Sequence, residues 1–208
     1  MNSIDDSELH KLVEKVVNQV MGNSSPGPSS KPVPPVAVPS GEAQKPPAVA
    51  DPAPKGSNKI VAIGSDHGGF DLKDNLKTYL AELGYEVKDV GAYNKSAVDY
   101  PDFAHEVARQ VSHGKAWRGI MIDGAGIGSC IVANKVPGIR AGMAYDYSSA
   151  VNSREHNDTN VLTLGAGLIG IALARQIVKV WLSTDFGGGR HQPRIDKITA
   201  VEKQYTKL

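Results

Sequence analysis

Apolar positions along the chain follow three rhythms in turn. Across residues 1–22, Leu9, Leu12, Val13, Val16, Val17, Val20 and Met21 recur at spacings of three and four. That lays one apolar stripe on an α-helix, with Glu8, Lys11, Glu14, Lys15 and Asn18 on the opposite face. Ser3, Asp5, Asp6 or Ser7 can cap its start, where acidic groups also suit the helix dipole. A helix of roughly six turns is marginal alone in water and wants a partner for its stripe. Residues 23–58 have no period. They are Pro, Ser, Ala, Val and Gly with few charges, and predict a semi-extended, disordered tether reaching on the order of 3 Å per residue where it is extended.

From Lys59 onward the rhythm alternates. Residues 59–65 (KIVAIGS) read as a buried strand, and 70–84 as an amphipathic helix with Phe70, Leu72, Leu76, Leu80 and Leu83 inward and Gly84 at its C-terminal cap. A second strand follows over 85–91. Pro101 and Gly114 then bracket a helix over 101–114. Strands at 117–124, 139–145 and 160–165 alternate with helices at 126–138, 148–158 and 167–184, and an exposed helix over 193–208 closes the pattern. Strands separated by helices pair in parallel through right-handed crossovers, so residues 59–208 predict a doubly wound α/β sandwich on a five-stranded parallel sheet.

Composition sharpens this division. Ten of the 13 prolines (Pro26, Pro28, Pro32, Pro34, Pro35, Pro39, Pro46, Pro47, Pro52 and Pro54) fall in the aperiodic stretch, so the core-forming length is well short of the full 208 residues. With 23 Lys and Arg against 22 Asp and Glu, the net charge of +1 gives no general attraction for polyanions and argues against a nucleic-acid binder. The single cysteine, Cys130, excludes an internal disulfide and a multi-cysteine zinc site, so the chain reads as cytoplasmic. No apolar run is long enough to span a bilayer, and no secretory signal pattern opens the chain.

In a doubly wound sheet, ligands collect at the C-terminal ends of strands near the switch point. Polar residues there are Asp66 and His67 after the first strand, Asp99 and Tyr100 after the second, and Asp123 after the third. Asp123 leads into Gly124, Ala125, Gly126, Ile127 and Gly128, a loop from which backbone N–H groups can converge on an anion. It is not a Walker loop, since no Gly-Lys-Ser/Thr follows. A carboxylate beside such a loop can serve as a base while the loop holds the oxyanion it creates, the role expected of Asp123. His156 and Asn157 lie in the polar stretch SREHNDTN, and Arg190 and Arg194 can form a cationic fork for a phosphate. Cys130, in an apolar helix run, reads as core.

GSDHGGFDLK, VDYPDFA, IMIDGAGIGSCIVANKVPGIRA, SREHNDTNVLTLG and GGRHQPR together resemble the type B ribose-5-phosphate isomerases and the related galactose-6-phosphate isomerase subunits. The resemblance spans nearly all of residues 59–205. It implies a Rossmann-like sandwich, a homodimer or tetramer whose sites are built from both subunits, and aldose–ketose isomerisation of a phosphorylated sugar without metal or cofactor. In its terms Asp66 and His67 contact the sugar and its ring oxygen and, with His156, manage ring opening and substrate protons, while Tyr100 lines the site, the glycine loop stabilises the enediolate, Asn157 binds the sugar, and Arg190 and Arg194 hold the phosphate. Many type B enzymes carry a cysteine base where this chain has Asp123, and a subgroup uses a glutamate where it has Ser129; Ala125 replaces a small hydroxyl residue of the loop. These departures leave a second reading, a sugar-phosphate-binding homologue without isomerase activity.

The amphipathic segment on its Pro-rich tether resembles the encapsulation peptides of enzymes packed in bacterial microcompartments. That resemblance implies docking to shell proteins through residues 1–22, and cargo or sensor duty if the domain has lost catalysis. Neither a membrane nor a nucleic acid is expected as a partner.

Overall fold

The structure, a computed structural model, describes Lys11, Lys15 and residues 59–206. Lys11 and Lys15 are helical and exposed. The rest of the expected helix over 1–22, and the whole of the expected tether over 23–58, lie outside the described residues.

Five strands form one parallel sheet: β1 (Ile60–Ser65), β2 (Glu86–Asp89), β3 (Arg118–Asp123), β4 (Ala141–Met143) and β5 (Val161–Gly165), in the order β2-β1-β3-β5-β4. Helices α1 (Phe70–Glu82), α2 (Tyr100–Ser112), α3 (Ile127–Ala133), α4 (Tyr147–Glu155), α5 (Ile171–Ser183) and α6 (Gln192–Tyr205) connect and follow them. The fold is the expected Rossmann-like α/β sandwich. The chain runs outward from β1 to β2 and then back across β1 to β3, so the crevice of the switch point opens above the C-terminal ends of β1 and β3.

Alternation along the strands sorts side chains between two layers. Val61, Ile63, Ile120, Ile122, Leu162 and Leu164 face Leu72, Leu76 and Leu80 of α1, Ala150 of α4, and Ile177 and Trp181 of α5. Met121 and Val161 face Ala104, Val107 and Ala108 of α2 and Ala133 of α3. Each fully buried large aliphatic side chain contributes about 1.5–3 kcal/mol, so these two layers carry the fold. Among the described residues no helix is long and apolar enough to cross a membrane.

The element boundaries differ from expectation where polar side chains decide them. Asp146 accepts a hydrogen bond from Ser149 N at 2.7 Å while Ser149 Oγ contacts the Asp146 amide, and this capping box starts α4 at Tyr147. Helix α5 begins at Ile171, four residues later than predicted, because Leu168 and Ile169 both donate to Gly165 O and close a turn first. At its other end buried Arg118 donates to the carbonyls of Trp181 (2.6 Å), Leu182 (3.1 Å) and Thr184 (3.4 Å), satisfying helix-terminal acceptors. Loss of solvent around Arg118 pulls its pKa down to about 9, with the charge of Arg154 adding to that effect.

Candidate functional site

At the C-terminal ends of β1 and β3 the chain builds a compact polar cluster. Ser65 pairs in register with Ile122, and Asp66 N donates to Ile122 O at 3.2 Å, so Asp66 and Asp123 leave adjacent strands side by side. Asp66 is buried, and its Oδ1 accepts from Gly69 N at 2.8 Å. Gly69 is required there: a Cβ would stand 2.4 Å from Ile122 O. His67 is exposed, with Nδ1 at 3.2 Å from Val98 O, which ties it to the segment leading into α2. Tyr100 opens that helix and lays its ring on the glycine loop, so close that a Cβ on Gly128 would meet Tyr100 Cζ at 2.5 Å.

The glycine loop departs from expectation in one respect. Its converging N–H groups already hold an anion, the carboxylate of Asp123. Ala125 N (2.8 Å) and Gly126 N donate to Oδ1, and Ser129 N (3.1 Å) and Ser129 Oγ donate to Oδ2. A carboxylate has about four lone-pair sites. All four are occupied, and the group is only 4% exposed. The expected free base is therefore tied into its own loop, and the N–H groups of Gly124, Ile127 and Gly128 are those left without an acceptor among the described residues. The loop is further pinned from β5: Ala166 N donates to Asp123 O (2.8 Å), Gly167 N to Gly124 O (3.0 Å), and Tyr145 Oη to Ala125 O (2.7 Å).

A second cluster gathers the remaining expected residues. His156 ends α4, and its ring stacks on that of His191 with centroids 4.1 Å apart and planes 10° from parallel. Asn152 Nδ2 lies 2.8 Å from His156 Nδ1, and Asn157 Nδ2 reaches Asn152 Oδ1 at 3.3 Å. Arg190 Nε donates to His191 Nε2 at 3.3 Å, and Arg194 sits one turn along in α6, exposed. Loss of solvent, followed by the charges of His156, Arg190 and Arg194, pushes His191 below its ordinary value. The loop carrying Arg190 is anchored by Gly187 N donating to Glu155 O (2.9 Å) and Arg154 Nε to Thr184 O (3.2 Å), while Arg140 and Arg154 grip Asp158 at 2.6 and 2.8 Å.

These two clusters do not meet in one chain. His156 and Asn157 precede the start of β5, where Asn160 O accepts from Gly119 N at the beginning of β3; Asp123 pairs with Gly165 at the far end of the same strands. The length of β5 alone separates them by about 13 Å. The expectation did not extend to Tyr145 or to Ser129 as a hydrogen-bond partner of Asp123, and His191, grouped in the sequence with Arg190 and Arg194, proves to stack on His156. The spacing of Ser129 from Asp123 was the available signal, since a helix-start hydroxyl can turn back to a carboxylate just ahead of the loop.

The family described as Ribose/Galactose Isomerase matches residues 61–198. Ribose-5-phosphate isomerase B of Escherichia coli (strain K12) is 46% identical over 146 residues, covering 70% of this chain and 98% of the relative. D-erythrulose-4-phosphate isomerase of Pectobacterium atrosepticum is 42% identical, covering 69% of this chain and 95% of the relative. The solved ribose-5-phosphate isomerase B of Clostridium thermocellum superposes with a TM-score of 0.70 at 49% identity, over 71% of this chain and 99% of that one.

Proposed function

The chain belongs to the ribose/galactose isomerase family and is an aldose–ketose isomerase of sugar phosphates, and from that premise we propose that it interconverts ribose 5-phosphate and ribulose 5-phosphate. The observation that carries this reading is the pairing of two chemically distinct clusters. One offers carboxylates and unpaired N–H groups suited to an enediolate, and the other offers Arg190, Arg194 and stacked imidazoles suited to a phosphate. Identity of 46% and 49% to two ribose-5-phosphate isomerases B, against 42% to the tetrose-phosphate isomerase, supports the pentose substrate.

Because the clusters stand at opposite ends of the sheet, each working site is assembled from two copies, His156, Asn157, Arg190 and Arg194 of one facing Asp66, His67, Tyr100 and the loop of the other. Ile127, Ile131, Leu168 and Ile171, each at least half exposed, border the glycine loop and supply an apolar rim for the second copy. His156 then assists ring opening, Asn157 and His67 hold hydroxyls, and positioned acid–base groups with N–H donors at the oxyanion supply the acceleration.

Residues 1–22 direct the enzyme into the lumen of a bacterial microcompartment by docking their apolar stripe on shell proteins; the exposure of Lys11 and Lys15 supports a polar outer face. Deleting 1–22 is expected to leave turnover intact and abolish co-purification with shell proteins, and unchanged co-purification refutes the targeting.

The deciding experiment for the reaction is a panel of ribose 5-phosphate, erythrulose 4-phosphate and hexose 6-phosphates in heavy water. Interconversion with deuterium entering at the proton-transfer carbons is expected, fastest for ribose 5-phosphate. Fastest turnover of the tetrose would move the substrate to the chemistry of the Pectobacterium relative. Binding of the whole panel without exchange would favour a non-catalytic sugar-phosphate binder.

A further inference from the structure

The two strand-end carboxylates differ in one decisive respect. Asp123 has each lone-pair site taken by a donor of its own loop. Asp66 has only Oδ1 engaged, by Gly69 N, and its Oδ2 has no donor among the described residues. Nor is that oxygen among the buried polar atoms left without partners, so it keeps access to solvent just past the C-terminal end of β1. It does so beside the exposed imidazole of His67 and the end of β3. A base must reach the proton it removes with a lone pair, and here only one carboxylate has one to offer.

We propose, resting on the isomerase reading above, that Asp66 is the catalytic base that carries the proton between C2 and C1, and that Asp123 is a positioning residue that occupies the anion nest of the glycine loop and fixes its shape. In the open-chain aldose, Asp66 Oδ2 takes the proton from C2. The C2–H electron pair becomes the C1=C2 bond, and the carbonyl π pair moves to O1, giving the enediolate. Asp66 returns the proton to C1, the O2 proton passes to O1, and the C2=O bond forms. Atoms and electrons balance with no oxidant or reductant.

Asp123 acts on this step by holding Gly126 and Ser129 so that the free N–H groups of Gly124, Ile127 and Gly128 converge on the oxyanion. The substitution of an aspartate for a cysteine base thus leaves the proton transfer to the adjacent strand. The family's two base positions, occupied here by Asp123 and Ser129, have become a hydrogen-bonded strut.

The test compares Asp66→Asn, Asp66→Ala and Asp123→Asn in the full chain, reading kcat, KM, melting temperature and C2 proton exchange in heavy water. Asp66→Asn is expected to lose about 10²- to 10⁴-fold in kcat and in exchange, with KM within a few-fold and melting unchanged. Formate, a small carboxylate, should restore part of the exchange of Asp66→Ala, a rescue that a merely structural role would not show. Asp123→Asn should melt lower and lose no more than about tenfold in kcat, since it removes a strut rather than the base. The proposal is overturned if Asp66→Asn exchanges within tenfold of the unsubstituted chain, if formate leaves Asp66→Ala unchanged, or if Asp123→Asn melts normally yet loses 10²-fold or more. Exchange by the unsubstituted chain reports on the isomerase reading itself, and the ratio between variants reports on the division of labour.

Discussion

His191, stacked on His156, gives the cluster at the end of α4 a dependence on pH whose sign follows from loss of solvent. His191 sits below its ordinary value of 6.5 because it loses solvent and lies among His156, Arg190 and Arg194, with Glu155 opposing. A histidine whose folded pKa is depressed takes up its proton later than the unfolded chain does. On acidification through 6.5 the unfolded state therefore binds protons first, and stability falls. The urea midpoint is expected to drop between pH 7.5 and pH 5.5, and His191→Gln should flatten that drop; an unchanged slope in the variant would refute the assignment.

Residue identities of this kind were only partly legible in the sequence. Asp66, Asp123 and Arg190 stand out because charge next to a strand end or a glycine run is conspicuous. Lys73 did not, although it is buried and donates to Asp89 Oδ1 (2.7 Å) and Ala92 O (2.6 Å), holding the segment that pairs with Ser65 just ahead of Asp66. Helical periodicity places a lysine at that position next to Leu72 without saying that its ammonium will find a carboxylate sixteen residues away.

At the scale of elements, the glycine loop shows what a motif reveals and what it hides. Its position between β3 and α3 followed from the strand pattern and the Gly-x-Gly-x-Gly spacing. Its internal bonding to Asp123, and its backbone contact with the turn after β5, are long-range and left no periodic trace. Gly126 adopts φ +79°, and a Cβ there would lie 3.0 Å from Leu164 C and 3.2 Å from Gly165 N, both rigid backbone. Gly126→Ala is therefore expected to cost about 2 kcal/mol, seen as a fall of roughly 4–8 °C in melting temperature, with kcat reduced more than KM is raised. Gly124, with open space around it, should accept alanine with no comparable loss of stability, and equal destabilisation at both positions would refute the steric account. The short edge strand β4 was overpredicted for a related reason: apolar residues over 139–145 set the pattern, but only Ala141–Met143 find partners on β5.

At the scale of the whole molecule, the topology gives the strongest constraint on how the enzyme works. A parallel sheet sends every strand end to one edge and every helix end to the other, so residues following strands and residues ending helices cannot share a crevice within one chain. Asp66, Tyr100 and Asp123 belong to the first class, and His156, Asn157 and Arg190 to the second. Motif order in the sequence cannot show this separation, because SREHNDTN runs directly into β5 and looks adjacent to everything that strand reaches. If the working site draws one cluster from each of two copies, inactive variants should complement each other. Asp66→Asn abolishes one cluster, and the pair Arg190→Ala with Arg194→Ala abolishes the other. Mixed by co-refolding at equal concentration, they should give heterodimers in which one site carries both lesions and the other carries none. With random pairing half the dimers are mixed and each keeps one of two sites, so recovery of about a quarter of the unsubstituted activity is expected. A site contained within a single chain would recover nothing, because every chain in the mixture carries a lesion.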